Sequence, residues 1–296
     1  MRIGIDLGGT KTEAIALAAD GSELYRRRVA SGRDYPATIA TLRALVAAVE
    51  SETGRKGTVG VGIPGTISPA TGLVKNANST WLIGHPLDRD LAEALGRPVR
   101  LANDADCFAL SEASDGAGAG ARVVFGVILG TGVGGGIVVE GKLLGGPNAI
   151  AGEWGHIPLP WPEDDERPGP RCYCGRYGCI ETFLSGPALA RDDGRGLTAA
   201  EIAAEQPEGA ALTRYHGRLA RALGQIITLL DPEVIVLGGG LSRIGSLYRA
   251  VPEQWGRWVF SDTVATRLLP PRHGDSSGVR GAAWLWRAEE GAEVES

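Results

Sequence analysis

Three of the chain's four cysteines, Cys172, Cys174 and Cys179, fall within eight consecutive positions, and His156 lies upstream of them. Three thiols and an imidazole make the ligand set of a closed tetrahedral zinc site. The Cys-x-Cys spacing is tighter than the usual Cys-x-x-Cys, and free buried thiols are the alternative reading. With all four positions filled by protein, no position is left for a reactive water. The metal would be structural, and its binding energy would help fold the loop. Glu181 follows Cys179 by two residues, so a metal-bound loop would hold that carboxylate in place. Cys107, remote from the cluster, reads as a small buried apolar residue.

The other residues with chemistry to offer sit where apolar runs give way to glycine or acid. Ile3 to Leu7 ends in Asp6 and the turn Gly8-Gly9-Thr10-Lys11; Val123 to Leu129 runs into Gly130-Thr131-Gly132 and on to Gly136; Val234 to Leu237 leads into Gly238-Gly239-Gly240. Glycine lets the backbone approach a ligand closely, and successive N–H groups form a concavity suited to phosphate. Asn103-Asp104-Ala105-Asp106 follows the apolar stretch ending at Leu101, which puts Asp104 at a strand end facing a cleft. Two familiar templates fail. Gly136 to Lys142 has the spacing of a P-loop, but Leu143 stands where a Ser or Thr must hold magnesium. Gly130, Gly132 and Gly135 match Gly-x-Gly-x-x-Gly, yet Ile137 to Val139 continue as a strand where a dinucleotide fingerprint must open a helix. A nicotinamide dehydrogenase is thereby disfavoured. Simple hairpin glycines, and Asp6 or Asp104 as turn or cap residues, are the structural alternatives.

The elements that must position these groups follow from periodicity. Tyr35 to Glu50 carries Ile39, Leu42, Leu45, Val46 and Val49 at helical spacing, as does Leu219 to Leu230. Val59 to Ile63 and Val99 to Leu101 read as buried strands, and Gly238 to Gly240 as the opening of a further helix. Strands alternating with helices make an α/β protein. The strand, glycine turn, strand pattern of residues 3 to 17 recurs at 123 to 139, so two related halves are expected, with a boundary near residue 118. Length supports two domains: 296 residues exceed one ordinary core. With 43% hydrophobic and 22% charged residues and a formal charge of -5, nothing suggests disorder or a nucleic-acid footprint. The start lacks a signal-peptide pattern and no apolar run is long enough for a membrane helix, so a cytoplasmic protein acting on a small molecule is expected. The Pro-rich stretch from Pro158 to Pro170 reads as a surface excursion.

Taken together, Asp6 to Lys11, Gly130 to Gly132 and Leu237 to Gly240 resemble the nucleotide loops of the sugar kinase, heat-shock protein and actin superfamily. Within it, the Asn103-Asp104-Ala105 segment, Glu153-Trp154-Gly155-His156 and the Cys-x-Cys-Gly-x-x-Gly-Cys pattern make the chain similar to the ROK sugar kinases along nearly its whole length. The resemblance implies two RNase H-like α/β domains around a cleft. Residues 1 to 118 with 279 to 296 would form one, and 119 to 278, carrying the zinc loop, the other. It implies ATP, magnesium and structural zinc as cofactors. Gly8, Gly9, Thr10, Lys11, Thr131 and Gly132 would cradle the phosphates, Asp6 would organise the magnesium shell, and Gly238, Gly239 and Gly240 would border the adenosine. Asp104 would be the general base. Gly65, Asn78, Asn103, Glu153, His156 and Glu181 would meet the sugar, with His156, Cys172, Cys174 and Cys179 on zinc. Trp81 is either a sugar platform or a packing residue. The run Asn76 to Trp81, Trp154-Gly155-His156 and the tail His273 to Trp284 together look most like bacterial fructokinases that also accept mannose, with glucose a further substrate. N-acetylglucosamine kinases share Asp6 to Lys11, the zinc cluster and the tail but tend to lack the run. Phosphorylation of fructose on its 6-hydroxyl is therefore the first expectation, N-acetylglucosamine the alternative and a non-catalytic sugar-binding regulator the third. The family's repressors carry an N-terminal helix-turn-helix, for which a glycine turn at residue 8 leaves no room. A homodimer is expected by analogy, without nucleic acid or membrane partners.

Overall fold

The computed structural model describes residues 1–287. In the first half, β1 (Arg2–Leu7), β2 (Lys11–Leu17) and β3 (Glu23–Ala30) form an antiparallel meander, and α1 (Tyr35–Thr53) follows. The helix starts where the Asp34 side chain accepts the Ala37 N–H at 2.7 Å and stops at Gly54, whose φ of 66° only glycine adopts easily. Next come β4 (Thr58–Ile63), the small ribbon β5 (Thr66–Ile67) and β6 (Val74–Lys75), α2 (Leu87–Leu95), β7 (Val99–Asn103) and α3 (Asp104–Ser114). The sheet order is β3-β2-β1-β4-β7, with β1, β4 and β7 parallel. β4 is buried throughout, whereas β7, expected to be buried, lies at the sheet edge and is half-buried along its length.

The second half repeats this plan. β8 (Val123–Leu129), β9 (Val133–Val139) and β10 (Lys142–Leu143) are antiparallel neighbours. After a long excursion come α4 (Glu181–Leu184), α5 (Gly186–Asp193), α6 (Ala199–Glu205) and α7 (Ala210–Leu230), then β11 (Val234–Gly238), α8 (Leu247–Ala250), α9 (Pro252–Trp255), β12 (Arg267–Leu269) and α10 (Ser277–Trp284). The order β10-β9-β8-β11-β12, with β8, β11 and β12 parallel, matches the first sheet position for position. The glycines after β11 open only a short 3-10 turn, Gly240–Arg243, instead of the helix expected there.

Two helices cross between the halves. α3 packs on β8 and β9, and α10 packs on β1, β4 and α3. These contacts are backbone-close. A β-carbon on Gly4 or Gly60 would collide with the carbonyl of Val279 or Ala282, and one on Gly281 with that of Cys107. Cys107 is fully buried at this junction. The expected C-terminal return from residue 279 is described as far as 287; residues 288–296 of it lie outside the described residues. Separate apolar cores lie under the two sheets, one with Ile3, Val46 and Val61, the other with Phe125, Tyr215 and Ile235. No described helix is long and apolar enough to cross a membrane.

Candidate active site between the two sheets

Asp6 ends β1 and Asp104 follows β7, so both carboxylates stand at carboxyl ends of parallel strands, where open α/β sheets bind ligands. Asn103 is the N-cap of α3. Its Oδ1 accepts the Ala105 N–H at 2.9 Å, while its amide donates to Gly65 O at 3.2 Å, joining the helix start to the loop after β4. Asp104 Oδ1 accepts the same Ala105 N–H at 2.8 Å. Its carboxyl opens onto the cleft, where solvent reaches it, yet the cleft walls replace most of the bulk water around it. That desolvation holds its pKa above the ordinary carboxylate value; the Ala105 N–H opposes the shift and the charge of Glu153 adds to it. Asp6 is pushed up to about 6 by burial, then by Asp104 and Glu13. Glu13 itself is held by Arg26 at 2.7 Å and Arg28 at 2.5 Å.

The hairpin tip beside Asp6 projects into the cleft. Gly9, Thr10 and Lys11 are exposed, and the turn is closed by Gly8 N–H to Lys11 O at 3.1 Å, with Ser31 donating to Gly8 O at 2.6 Å. Asn78 is exposed near this tip, its N–H bonded to Pro64 O. Trp81 is turned away. Its indole N–H donates to Thr38 Oγ1 at 3.1 Å and its ring packs on the first core, so packing is its place and the platform reading falls.

In the second half only Gly130 to Gly132 form the turn. Gly134, Gly135 and Gly136, read from sequence as part of it, lie in β9, where missing side chains admit α3 and the 152–155 loop. A β-carbon on Gly135 would sit 2.8 Å from Trp154 Cδ1, and one on Gly136 2.8 Å from Ala105 O. The Trp154 indole donates to Gly134 O at 2.9 Å and leaves its neighbour Glu153 exposed to the cleft. Glu181 starts α4, and its Oε2 accepts the Val133 N–H at 3.0 Å, directly beside the Gly130–Gly132 turn. A carboxylate read from sequence as a sugar contact is thus also fastened to the second hairpin.

Beside that hairpin lies a cavity of about 1040 Å³, reached by Gly130, Thr131 and Gly240. Of the three glycines from the end of β11 onward, Gly240 alone lines it. Gly238 faces the Phe108 ring and Gly239 the backbone of Leu129. The rest of the wall comes from α5, α6 and the Gly240–Arg243 turn. Sequence reasoning missed these residues, because scattered Leu and Ala carry no signal distinguishing a cavity wall from a core.

The donor atoms of His156, Cys172, Cys174 and Cys179 all lie within 4.8 Å of one another. Cys172 Sγ is 3.5 Å from His156 Nδ1, and Cys174 Sγ is 3.6 Å from Cys179 Sγ. A tetrahedron with metal–sulfur arms of about 2.3 Å has edges of roughly 3.8 Å, so the cluster has the size and donor chemistry of a zinc site. With Nδ1 turned to the thiols, His156 Nε2 is the nitrogen left for a sugar; here it meets the Tyr173 hydroxyl at 2.8 Å. The Pro-rich excursion braces this knuckle. Gly178 N–H donates to Pro170 O and Leu159 N–H to Gly178 O. The excursion is anchored in turn by buried Glu166, whose Oε1 accepts from Arg218 and Arg221 of α7, each at 2.7 Å. Burial would raise the Glu166 pKa, but the two guanidiniums outweigh it and hold it at about 2. Arg218 also faces the Phe183 ring at 5.2 Å, linking the anchor to the short helix that carries Glu181. Nothing in the sequence pairs a glutamate with arginines more than fifty residues away.

Paired sheets of identical order, crossing helices and a carboxylate-lined cleft between glycine hairpins define an actin-like ATPase fold of the sugar kinase type. The ROK family pattern matches residues 2–289, and the chain belongs to the ROK family. It is 39% identical to the N-acetyl-D-glucosamine kinase of Yersinia pseudotuberculosis, over 98% of this chain and 100% of that one. Among solved structures, a ROK hexokinase from Thermus thermophilus superimposes with a TM-score of 0.86 at 30% identity, covering 97% of this chain and 98% of that chain. A ROK family glucokinase from Streptomyces griseus, solved with glucose and AMPPNP, gives 0.75 at 29%, covering 97% and 99%.

Proposed function

We propose that this chain is an ATP- and magnesium-dependent kinase that phosphorylates N-acetylglucosamine on its primary 6-hydroxyl. The observation that carries the kinase reading is the position of Asp104: a carboxylate of raised pKa at a strand end, opening onto a cleft flanked by the Gly8–Lys11 hairpin, by Glu153 and by the Gly130–Gly132 hairpin with Glu181 fastened beside it. Asp104 takes the hydroxyl proton as the oxygen attacks the γ-phosphorus, and a pKa drawn toward neutrality makes it a better base. The hairpin N–H groups, Thr10, Lys11 and Thr131 hold the phosphates; Gly65, Asn78, Asn103, Glu153, His156 and Glu181 hold the sugar. Asp6 fits a magnesium shell, since a buried carboxylate crowded by Asp104 and Glu13 gains from a cation. Magnesium, when bound, offsets charge on the phosphate oxygens. Zinc at His156, Cys172, Cys174 and Cys179 is structural and fixes Glu181. In this proposal the chain divides near residue 118, α10 completes the first domain, the assembly is a homodimer, and the setting is the cytoplasm, where ATP and reduced thiols are found.

The sugar is the point at which the expectation from sequence changes. The run Asn76 to Trp81 favours fructose, but Trp81 is committed to the first core and the relative at 39% identity over the full length is an N-acetylglucosamine kinase. Initial rates of ADP release with N-acetylglucosamine, fructose, mannose and glucose test this. The highest kcat/KM is expected for N-acetylglucosamine. A preference for fructose would overturn the sugar and keep the kinase; no ADP release with any hexose would overturn the kinase.

A further inference from the structure

The cavity beside Gly130 and Gly240 is walled by Leu197, Ala199, Ala200, Ala203, Leu241 and Ile244, none of which has a polar side chain. Thr131, also on the rim, belongs to the Gly130–Gly132 turn, and the other polar side chains there each have a partner outside the cavity. Thr198 caps α6, donating to Glu201 Oε2 at 2.7 Å and accepting the Glu201 N–H at 3.3 Å. The Ser246 hydroxyl pairs with His216 Nε2 at 3.0 Å. Arg243, the one charged side chain on the wall among the described residues, reaches Asp275 at 3.3 Å. Part of the backbone is engaged as well: the carbonyls of Leu241, Ile244 and Ser246 accept the N–H groups of Ile244, Leu247 and Ala250. At the other end, Gly130 O accepts the Gly186 N–H at 2.7 Å, which closes α5 against the phosphate turn.

A site that hydrogen-bonds a substrate group rejects an analogue lacking that group by roughly 10⁴-fold or more, whereas an apolar pocket discriminates by only about 10 to 200-fold. Adenine differs from guanine and hypoxanthine in what it offers at C6 and C2, and that difference is read only by a fixed donor or acceptor. We propose that this cavity holds the donor's base by apolar contact and shape alone, so that purine nucleoside triphosphates as a class, ATP, GTP and ITP, serve as phosphoryl donors of similar efficiency. The inference rests on the kinase reading and specifies its donor. The transfer itself is unchanged: the bond between the β-bridging oxygen and the γ-phosphorus breaks, the sugar oxygen bonds to that phosphorus, its proton passes to Asp104 and a nucleoside diphosphate leaves.

The test is formation of hexose phosphate by the full chain, followed by mass spectrometry so that the readout does not depend on the donor, with ATP, GTP and ITP each varied at saturating sugar. The kcat/KM values for GTP and ITP are expected within about 200-fold of that for ATP, the limit of an apolar pocket. Values more than about 10³-fold below ATP would overturn the inference and leave the kinase intact; no hexose phosphate from any donor would overturn the kinase reading instead. Ala203→Trp, which fills the cavity from partly exposed α6, is expected to raise KM for ATP and GTP in parallel with the sugar KM unchanged. Unaltered KM for both nucleotides would place the base elsewhere and defeat the proposal. Ala200→Leu, a smaller filling, asks the same question should the tryptophan variant fail to fold.

Discussion

The two sheets share one strand order but have been put to different use. In the first, the segments between strands are short, and the sheet delivers its groups directly from strand ends: Asp6 from β1, Asn103 and Asp104 from β7. In the second, residues 144 to 233 intervene between β10 and β11, and they supply the Cys and His cluster, Glu181 and one wall of the 1040 Å³ cavity. A strand end is rigid because the ladder fixes it, so a carboxylate there needs only a cap. A group on a long insertion must be fastened by other means, and here the fastenings are a metal-sized ligand cluster, the Glu166 ion pairs with Arg218 and Arg221, and the Glu181 bond to Val133. The first half thus presents its carboxylates by topology, and the second presents its own by cross-linking.

Two substitutions separate these modes. Asp104→Asn removes the proposed base at the strand end while Asn Oδ1 can still accept the Ala105 N–H. Turnover should drop by roughly 10²–10⁴-fold, with melting temperature equal or slightly higher, because a carboxylate whose pKa is raised on folding is unfavourable when ionised. Retained turnover would remove Asp104 as the base. Cys174→Ser attacks the insertion instead. Metal analysis of the parent should give about one zinc per chain, the content of a closed four-ligand site, and the variant less. A loosened Glu181 should then cost roughly 10²-fold in kcat/KM for the sugar, the scale of an ångström misplacement, with KM for ATP nearly unchanged. A metal-free parent with full activity would refute the fastening account.

What the sequence made legible follows the same division. Groups set by local pattern could be read directly: the β1–β2 hairpin, the strand end before Asp104, the helix from Tyr35 and the spacing of the three thiols are each decided by short stretches of neighbouring residues. The Glu166 anchor and the cavity wall escaped, because they are decided by residues that meet only after the insertion folds. Glycine was the ambiguous letter. Gly8 and Gly130 mark turns, while Gly134, Gly136 and Gly238 are spaces for α3 and Gly135 a space for Trp154, and one residue type serves both needs. Trp81 failed as a platform for a related reason: an aromatic beside polar residues suits a site and a core rim equally until its indole finds Thr38.

Asp106 sharpens the comparison most finely, because it belongs to the first half by sequence but stands where α3 enters the second. A β-carbon on Gly136 would lie 2.9 Å from its Cα. Its carboxyl is half-buried and has a pKa pushed up to about 7, by burial first and then by Glu153 and Asp104. A folded-state pKa above the unfolded value means that the ionised form is the strained one. The cost is complete above about pH 7, shrinks as pH falls toward the ordinary carboxylate value and vanishes below it. Asp106→Asn should therefore raise the melting temperature at pH 8, by at most on the order of 2–3 kcal/mol of stability after allowing for solvent screening. Near pH 4 it should leave the melting temperature almost unchanged, and turnover should fall far less than in Asp104→Asn. Thermal melts of both proteins from pH 4 to 8 check the sign: a difference that stayed constant across the range would mean that packing against β9, and not the charge, governs this position.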